Sequence, residues 1–278
     1  MIDPARFIHS GERSGRFRGR PPRFSTNGKT ESLITRAIFV LTSAEAGEQF
    51  LKVLPDLRAL GLSEATVLHL VSAQPGPAEP MPELATWVRH FEAALPKVEL
   101  ALKRGDPVKW IYELARVRAV DIVVISGVPN GTDWDFERVS SPLRVLGIPI
   151  LFLPEEQLKG KLCDHVLVAI RAPDTLESAV TGLRSWFSTG QLRAVHVSAA
   201  REGGSHECNG VSLEIVGPKG DVASTLLRQA EEWGATLLTI LAEGEPDGGE
   251  DGGIPVVKPL IQDSLWPILV WPAQGRQA

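Results

Sequence analysis

The residues of this chain that could do chemistry are scattered, and the spacings that organise catalysis are missing. No Gly-x-Ser-x-Gly nucleophile elbow, no Gly-x-x-x-x-Gly-Lys-Ser/Thr phosphate loop and no Gly-x-Gly-x-x-Gly turn follows an apolar run. His206, Glu207 and Cys208 stand together in "SHEC", but nothing nearby supplies the remaining ligands of a closed zinc site, so a solvated loop is expected there. "EPDGGEDGG" lacks the alternating oxygen ligands and terminal bidentate glutamate of a calcium-binding EF-hand loop. His69 and His196 occupy matching places in two apolar runs and read as structural. No catalytic residue, no metal ligand and no enzymatic activity is expected.

The elements that would position such residues begin after a segment of different character. Met1 to Thr30 carries Arg6, Arg13, Arg16, Arg18, Arg20, Arg23 and Lys29 against Asp3 and Glu12, a net +5 in a chain whose total is -5. It is rich in glycine, proline and serine and has no apolar period, so residues 1–34 are expected to be a disordered Arg-rich tail. Within it "RGRP" (Arg18 to Pro21) matches the short core with which AT-hook peptides enter A·T minor grooves, so the tail is a candidate for contact with nucleic acid or an acidic partner. The rest is ordinary globular material, with 43% hydrophobic and 23% charged residues over 278 positions. No window approaches the length of a membrane helix. Two cysteines are too few for a disulfide framework and there is no apolar signal core near Met1, so a cytoplasmic location and no membrane contact are expected.

The body is written twice. "RAIFVLT" and "DHVLVAIR" read as short buried strands, each followed by a helical run: "AEAGEQFLKVLPDLRALG", stopped by Gly61, and "DTLESAVTGLRSWFSTG", stopped by Gly190. Strands "ATVLHLVSA" and "LRAVHVSAA" come next, carrying His69 and His196. Then Val98 to Gly127 aligns with Val211 to Gly244, each a strand, a Gly-Asp pair opening a helix, and another strand; Asp106 and Asp221 stand where a helix N-cap belongs. Both copies close alike, "VSSPLRVLGIPILFLP" and "VVKPLIQDSLWPILVWP". The copies differ in one connection. The first has room for a helix over Pro82 to Leu95, whereas the second joins Val197 to Val211 through "SAAREGGSHECNG", too short and breaker-rich for one. Strands alternating with helical patterns give an α/β protein with parallel sheets.

In order and spacing, residues 35 to 272 resemble the universal stress proteins in their tandem form, most clearly in "RGDPVKWIYELARVRAVDIVVIS". The resemblance implies two tandem doubly wound, Rossmann-like domains, 35–155 and 164–273, that pair through their last edge strands as a pseudo-dimer within one chain. Covering an apolar edge in this way would answer why the ending is repeated.

Many members of that family bind ATP through a glycine after the fourth strand, a second glycine three positions on and a later Gly-Ser or Gly-Thr pair opening a helix, where bare backbone N–H groups and a helix N-terminus meet phosphate. An aspartate closes their first strand. Here the first copy keeps Gly127; counted forward, Asn130 stands for the second glycine and Ser140-Ser141 for the pair, while counting back from Pro149 puts Phe136-Glu137 there. Thr42, followed by Ser43, replaces the aspartate, and Arg171 replaces it in the second copy. Otherwise Asn130, Ser140 and Ser141 are expected to cap the last helix. The second copy's loop carries Glu243, Glu245, Asp247, Glu250 and Asp251, which repel a triphosphate. No cofactor is expected; if ATP binds, it binds the first copy through Thr42, Ser43, Gly127, Asn130, Ser140 and Ser141. The expected function is regulation or protein association, including self-association, with the ATP-binding module and the tail-borne nucleic-acid protein as alternatives.

Overall fold

The structure is a computed structural model that describes residues 34–71, 82–126, 136–154, 161–171, 173–187, 190–198, 204–242 and 254–272. The tail with its "RGRP" core, Gly127, Asn130 and the acidic residues between 243 and 251 lie outside them.

The chain starts with β1 (Arg36–Leu41), α1 (Ala44–Ala59), β2 (Glu64–Val71), α2 (Leu84–Ala94) and β3 (Lys97–Arg104). It continues with α3 (Pro107–Arg118), β4 (Ile122–Ser126), α4 (Phe136–Val145) and β5 (Ile150–Leu153). Then follow β6 (His165–Ala169), α5 (Leu176–Trp186), β7 (Gln191–Val197), β8 (Gly204–Cys208) and β9 (Val211–Val216). The last elements are α6 (Val222–Trp233), β10 (Leu237–Ala242), α7 (Ile254–Asp263) and β11 (Ile268–Pro272).

All eleven strands form one sheet in the order β3-β2-β1-β4-β5-β11-β10-β6-β7-β9-β8. Neighbours from β3 to β5 are parallel, as are those from β11 to β9. The two sets meet antiparallel, Leu151 opposite Leu269 and Ile150 opposite Val270. The repeated Pro-Ile-Leu endings are therefore the strands that join the sets, and neither apolar edge is left open. The order β9-β7-β6-β10-β11 repeats the connectivity of β3-β2-β1-β4-β5.

The strands run apolar on both faces because helices cover both. On β1, Ala37, Phe39 and Leu41 face the layer of α1, α2 and α5, whereas Ile38 and Val40 face that of α3, α4, α6 and α7. Each core layer runs unbroken beneath both strand sets. Phe39 meets Phe50 of α1 and Phe91 of α2 edge to face, at centroid distances of 5.3 and 4.7 Å. The start of the second set is tied to the first: Leu162 donates its N–H to Asp56 of α1 at 2.7 Å.

Asp106 and Asp221 are the expected N-caps, accepting from Val108 N and Ser224 N at 2.9 and 2.7 Å. Three expectations need correction. Gly190 does not stop α5, which ends at Trp186 with Phe187 as its C-cap; a Cβ at Gly190 would overlap the Cys163 carbonyl oxygen, so its bare backbone serves a close approach at the start of β7. "SHEC" is no loop but falls in β8, which pairs antiparallel with β9. The turn between them, Asn209-Gly210, has φ of 50° and 70°, the left-handed geometry of a tight hairpin. The second copy thus lacks the α2 counterpart, as expected, and carries an added edge strand where a plain connection was expected. Finally, Ser140 and Ser141 cap nothing: α4 opens at Phe136, so both lie inside it.

Candidate functional site

In a doubly wound sheet a ligand enters where neighbouring strands send their connections to opposite faces. Here β1 leads to α1 on one face and β4 to α4 on the other, so the first set's switch point lies between Leu41 and Ser126. In the second set it lies between β6 and β10.

At the first switch point Thr42 is half-buried, and its hydroxyl donates to the Ser126 carbonyl oxygen at 3.0 Å. The position at which the resemblance implies a carboxylate is thus occupied by a bond linking the two strand ends. Ser43 is the N-cap of α1, accepting from Ala46 N at 3.2 Å. Glu45 beside it titrates lower than an ordinary glutamate, chiefly through a hydrogen bond from its own backbone N–H and then through Ser43. His69 Nδ1 lies 3.1 Å from the Leu41 carbonyl oxygen. Deeper in, Ser126 and Ser140 are both only 1% exposed, and neither hydroxyl has a hydrogen-bond partner among the described residues. Buried hydroxyls are ordinarily satisfied. Ser141, on the next position of α4, is exposed.

Thr42, Ser43, Ser126 and Ser140 thus belong to the elements that flank the switch point. Ser126 was missed by sequence reading. Its signal was its place as the last residue of an apolar strand, one position before Gly127.

The second switch point is built from different chemistry. The pairing registers match Ser126 with Leu241, since Val40 faces Ile125 as Ala169 faces Ile240. The shared Pro-Leu of α4 and α7 matches Ser140 with Val257, which is 3% exposed. Both unpartnered hydroxyls of the first set are therefore aliphatic in the second, and Arg171, in place of Thr42, is exposed. His196 keeps the contact of its counterpart, Nδ1 lying 3.2 Å from the Ile170 carbonyl oxygen. In each set, then, a histidine of the second strand lies against a backbone carbonyl at the end of the first strand.

Burial pushes the Cys163 thiol up to about 12, helped by the charges of Asp56 and Asp164, so it is protonated at neutral pH. Glu207 is exposed and Cys208 half-buried on adjacent strand positions. Among the described residues no group of three or more His, Cys, Asp or Glu side chains could hold a metal ion, and no helix is long and apolar enough to cross a membrane.

No protein-family model matches this chain. No curated protein matches it either. Solved structures do. A universal stress protein from Archaeoglobus fulgidus DSM 4304 superposes with a TM-score of 0.60 at 18% identity, over 91% of this chain and 100% of that one. A functionally unknown protein from Pseudomonas aeruginosa PAO1 gives 0.57 at 14% identity, over 86% and 93%. A putative universal stress protein from Pseudomonas aeruginosa UCBPP-PA14 gives 0.54 at 14% identity, over 86% and 94%. The chain has the Rossmann-like α/β fold of universal stress proteins.

Proposed function

We propose that this chain is a non-enzymatic regulatory or protein-association module of the universal-stress-protein type. It comprises two tandem units, 35–155 and 164–273, behind an N-terminal tail of residues 1–34, and its nucleotide pockets are impaired. The observation that carries the reading is the Thr42 hydroxyl on the Ser126 carbonyl, which ties β1 to β4 where a ligand would enter and offers no carboxylate to it. The aliphatic residues and exposed arginine at the second switch point support the same reading for the second unit. Fold alone does not assign function, so the test is direct: calorimetric titration of the full chain with Mg-ATP. No binding heat at micromolar protein is expected. A micromolar Kd abolished by Ser140→Ala would overturn the reading.

One alternative has an observation behind it. The unpartnered hydroxyls of Ser126 and Ser140 beside the first switch point favour a polar guest there, with Thr42, Ser43, Gly127, Asn130, Ser140 and Ser141 as the residues toward it. The titration separates the two readings.

A further inference from the structure

The C-terminal end of β3 and the first turns of α3 and α4 make a basic corner. Lys103 and Lys109 set their ammonium groups over the Trp110 ring, 4.5 and 5.4 Å from its centroid. The ring is fixed there because Trp110 Nε1 donates to the Arg104 carbonyl oxygen at 2.8 Å. Arg138 reaches over from α4 to Asp106 at 3.1 Å, and that carboxylate already accepts from Val108 N. Neither Lys103 nor Lys109 pairs with a carboxylate among the described residues. Sharing one ring keeps the two ammonium groups within about 10 Å of each other, close to one Debye length in physiological salt, so each raises the cost of the other's charge. An anionic guest relieves that repulsion.

We propose that this corner docks the acidic segment 243–253 of a second copy of the same chain. The segment carries Glu243, Glu245, Asp247, Glu250 and Asp251 and no cation, so its charge complements the corner. Topology excludes the chain's own segment. Because β5 and β11 are antiparallel, Arg104 ends β3 at one end of the sheet and Ala242 ends β10 at the other. The six strand spacings from β3 to β10 also amount to about 29 Å across the sheet. Eleven residues joining Ala242 to Ile254 could extend out and back by at most about 20 Å. Between two copies the contact is reciprocal, each segment on the other's corner, so it closes as a twofold dimer. This deepens the association reading by naming the partner and the surface.

Sedimentation velocity of the full chain tests it, on wild type, on a corner variant (Lys103→Glu with Lys109→Glu) and on a segment variant (Glu243→Lys, Glu245→Lys and Glu250→Lys). Lys109→Glu alone, exposed in the first turn of α3, leaves the strand untouched. Wild type is expected to be a dimer at low ionic strength that dissociates as salt rises. Each multiple variant is expected to be monomeric, Lys109→Glu to dimerise at least tenfold more weakly, and an equimolar mixture of corner and segment variants to recover the dimer. A monomeric wild type at low salt, a dimer indifferent to corner reversal, or a mixture that stays monomeric overturns the proposal. Mg-ATP titration reads the pockets and not this surface, so failure of the dimer is distinguishable from failure of the functional reading.

Discussion

A methyl group at Gly190 would overlap the Cys163 carbonyl oxygen, which is backbone and cannot swing away. Gly190→Ala is therefore expected to displace the start of β7 and to destabilise the fold by about 2 kcal/mol, the usual scale of overpacking. Urea denaturation reads this as a lowered midpoint, and an unchanged midpoint would mean that the backbone there yields freely. Asp221 gives a test in pH. Hydrogen bonds from the Ser224 backbone and hydroxyl hold its carboxyl below the ordinary aspartate value. Its stabilisation is therefore present above the unfolded-state value and is lost as pH falls through the folded one. Asp221→Ala should melt earlier than wild type at pH 7, and the gap should close in acid; a gap constant with pH would contradict this. At this scale the sequence showed Thr42 and Arg171 in place of an aspartate. It could not show that Thr42 bonds to Ser126, 84 positions away, because no local pattern encodes a contact between strand ends.

Among the elements, the added hairpin distinguishes the second strand set. Arg184 of α5 donates to the carbonyl oxygens of Asn209 and Gly210, both at 3.2 Å, so the helix holds the turn that joins β8 to β9. Gly210 sits at φ 70°, where a β-branched side chain is strained. Gly210→Val is expected to cost about 1–2 kcal/mol and to speed hydrogen exchange in β8 without affecting β1 to β5. Equal exchange in both proteins would show that the edge strand is held without its turn. Helices and parallel strands were legible from periodicity and the Gly-Asp signals, because each buries a face with a regular period. β8 was not, since "GSHEC" has little apolar alternation; the Asn-Gly that follows Cys208 was the available hairpin signal. The opening of α4 was ambiguous because Pro142 lies inside the helix and family spacing could be counted from either end. Phe136, reached by counting back from Pro149, is where it starts.

Across the whole molecule, the repeated Pro-Ile-Leu endings specify the join. Leu151 and Leu269, each 1% exposed, face one another across it, and both core layers continue beneath it. Unfolding is therefore expected to be a single urea transition seen alike by tryptophan fluorescence and circular dichroism; two separated transitions would show that the sets are only loosely coupled. The join was legible because a motif was written twice, whereas the corner of Lys103, Lys109, Trp110 and Arg138 was not, because β3, α3 and α4 meet only in the fold. The most direct measurement of the central claim is acid extraction of the full chain purified without added nucleotide, with chromatography of the released small molecules. The expected result is no adenine nucleotide above a trace; about one per chain would contradict the account.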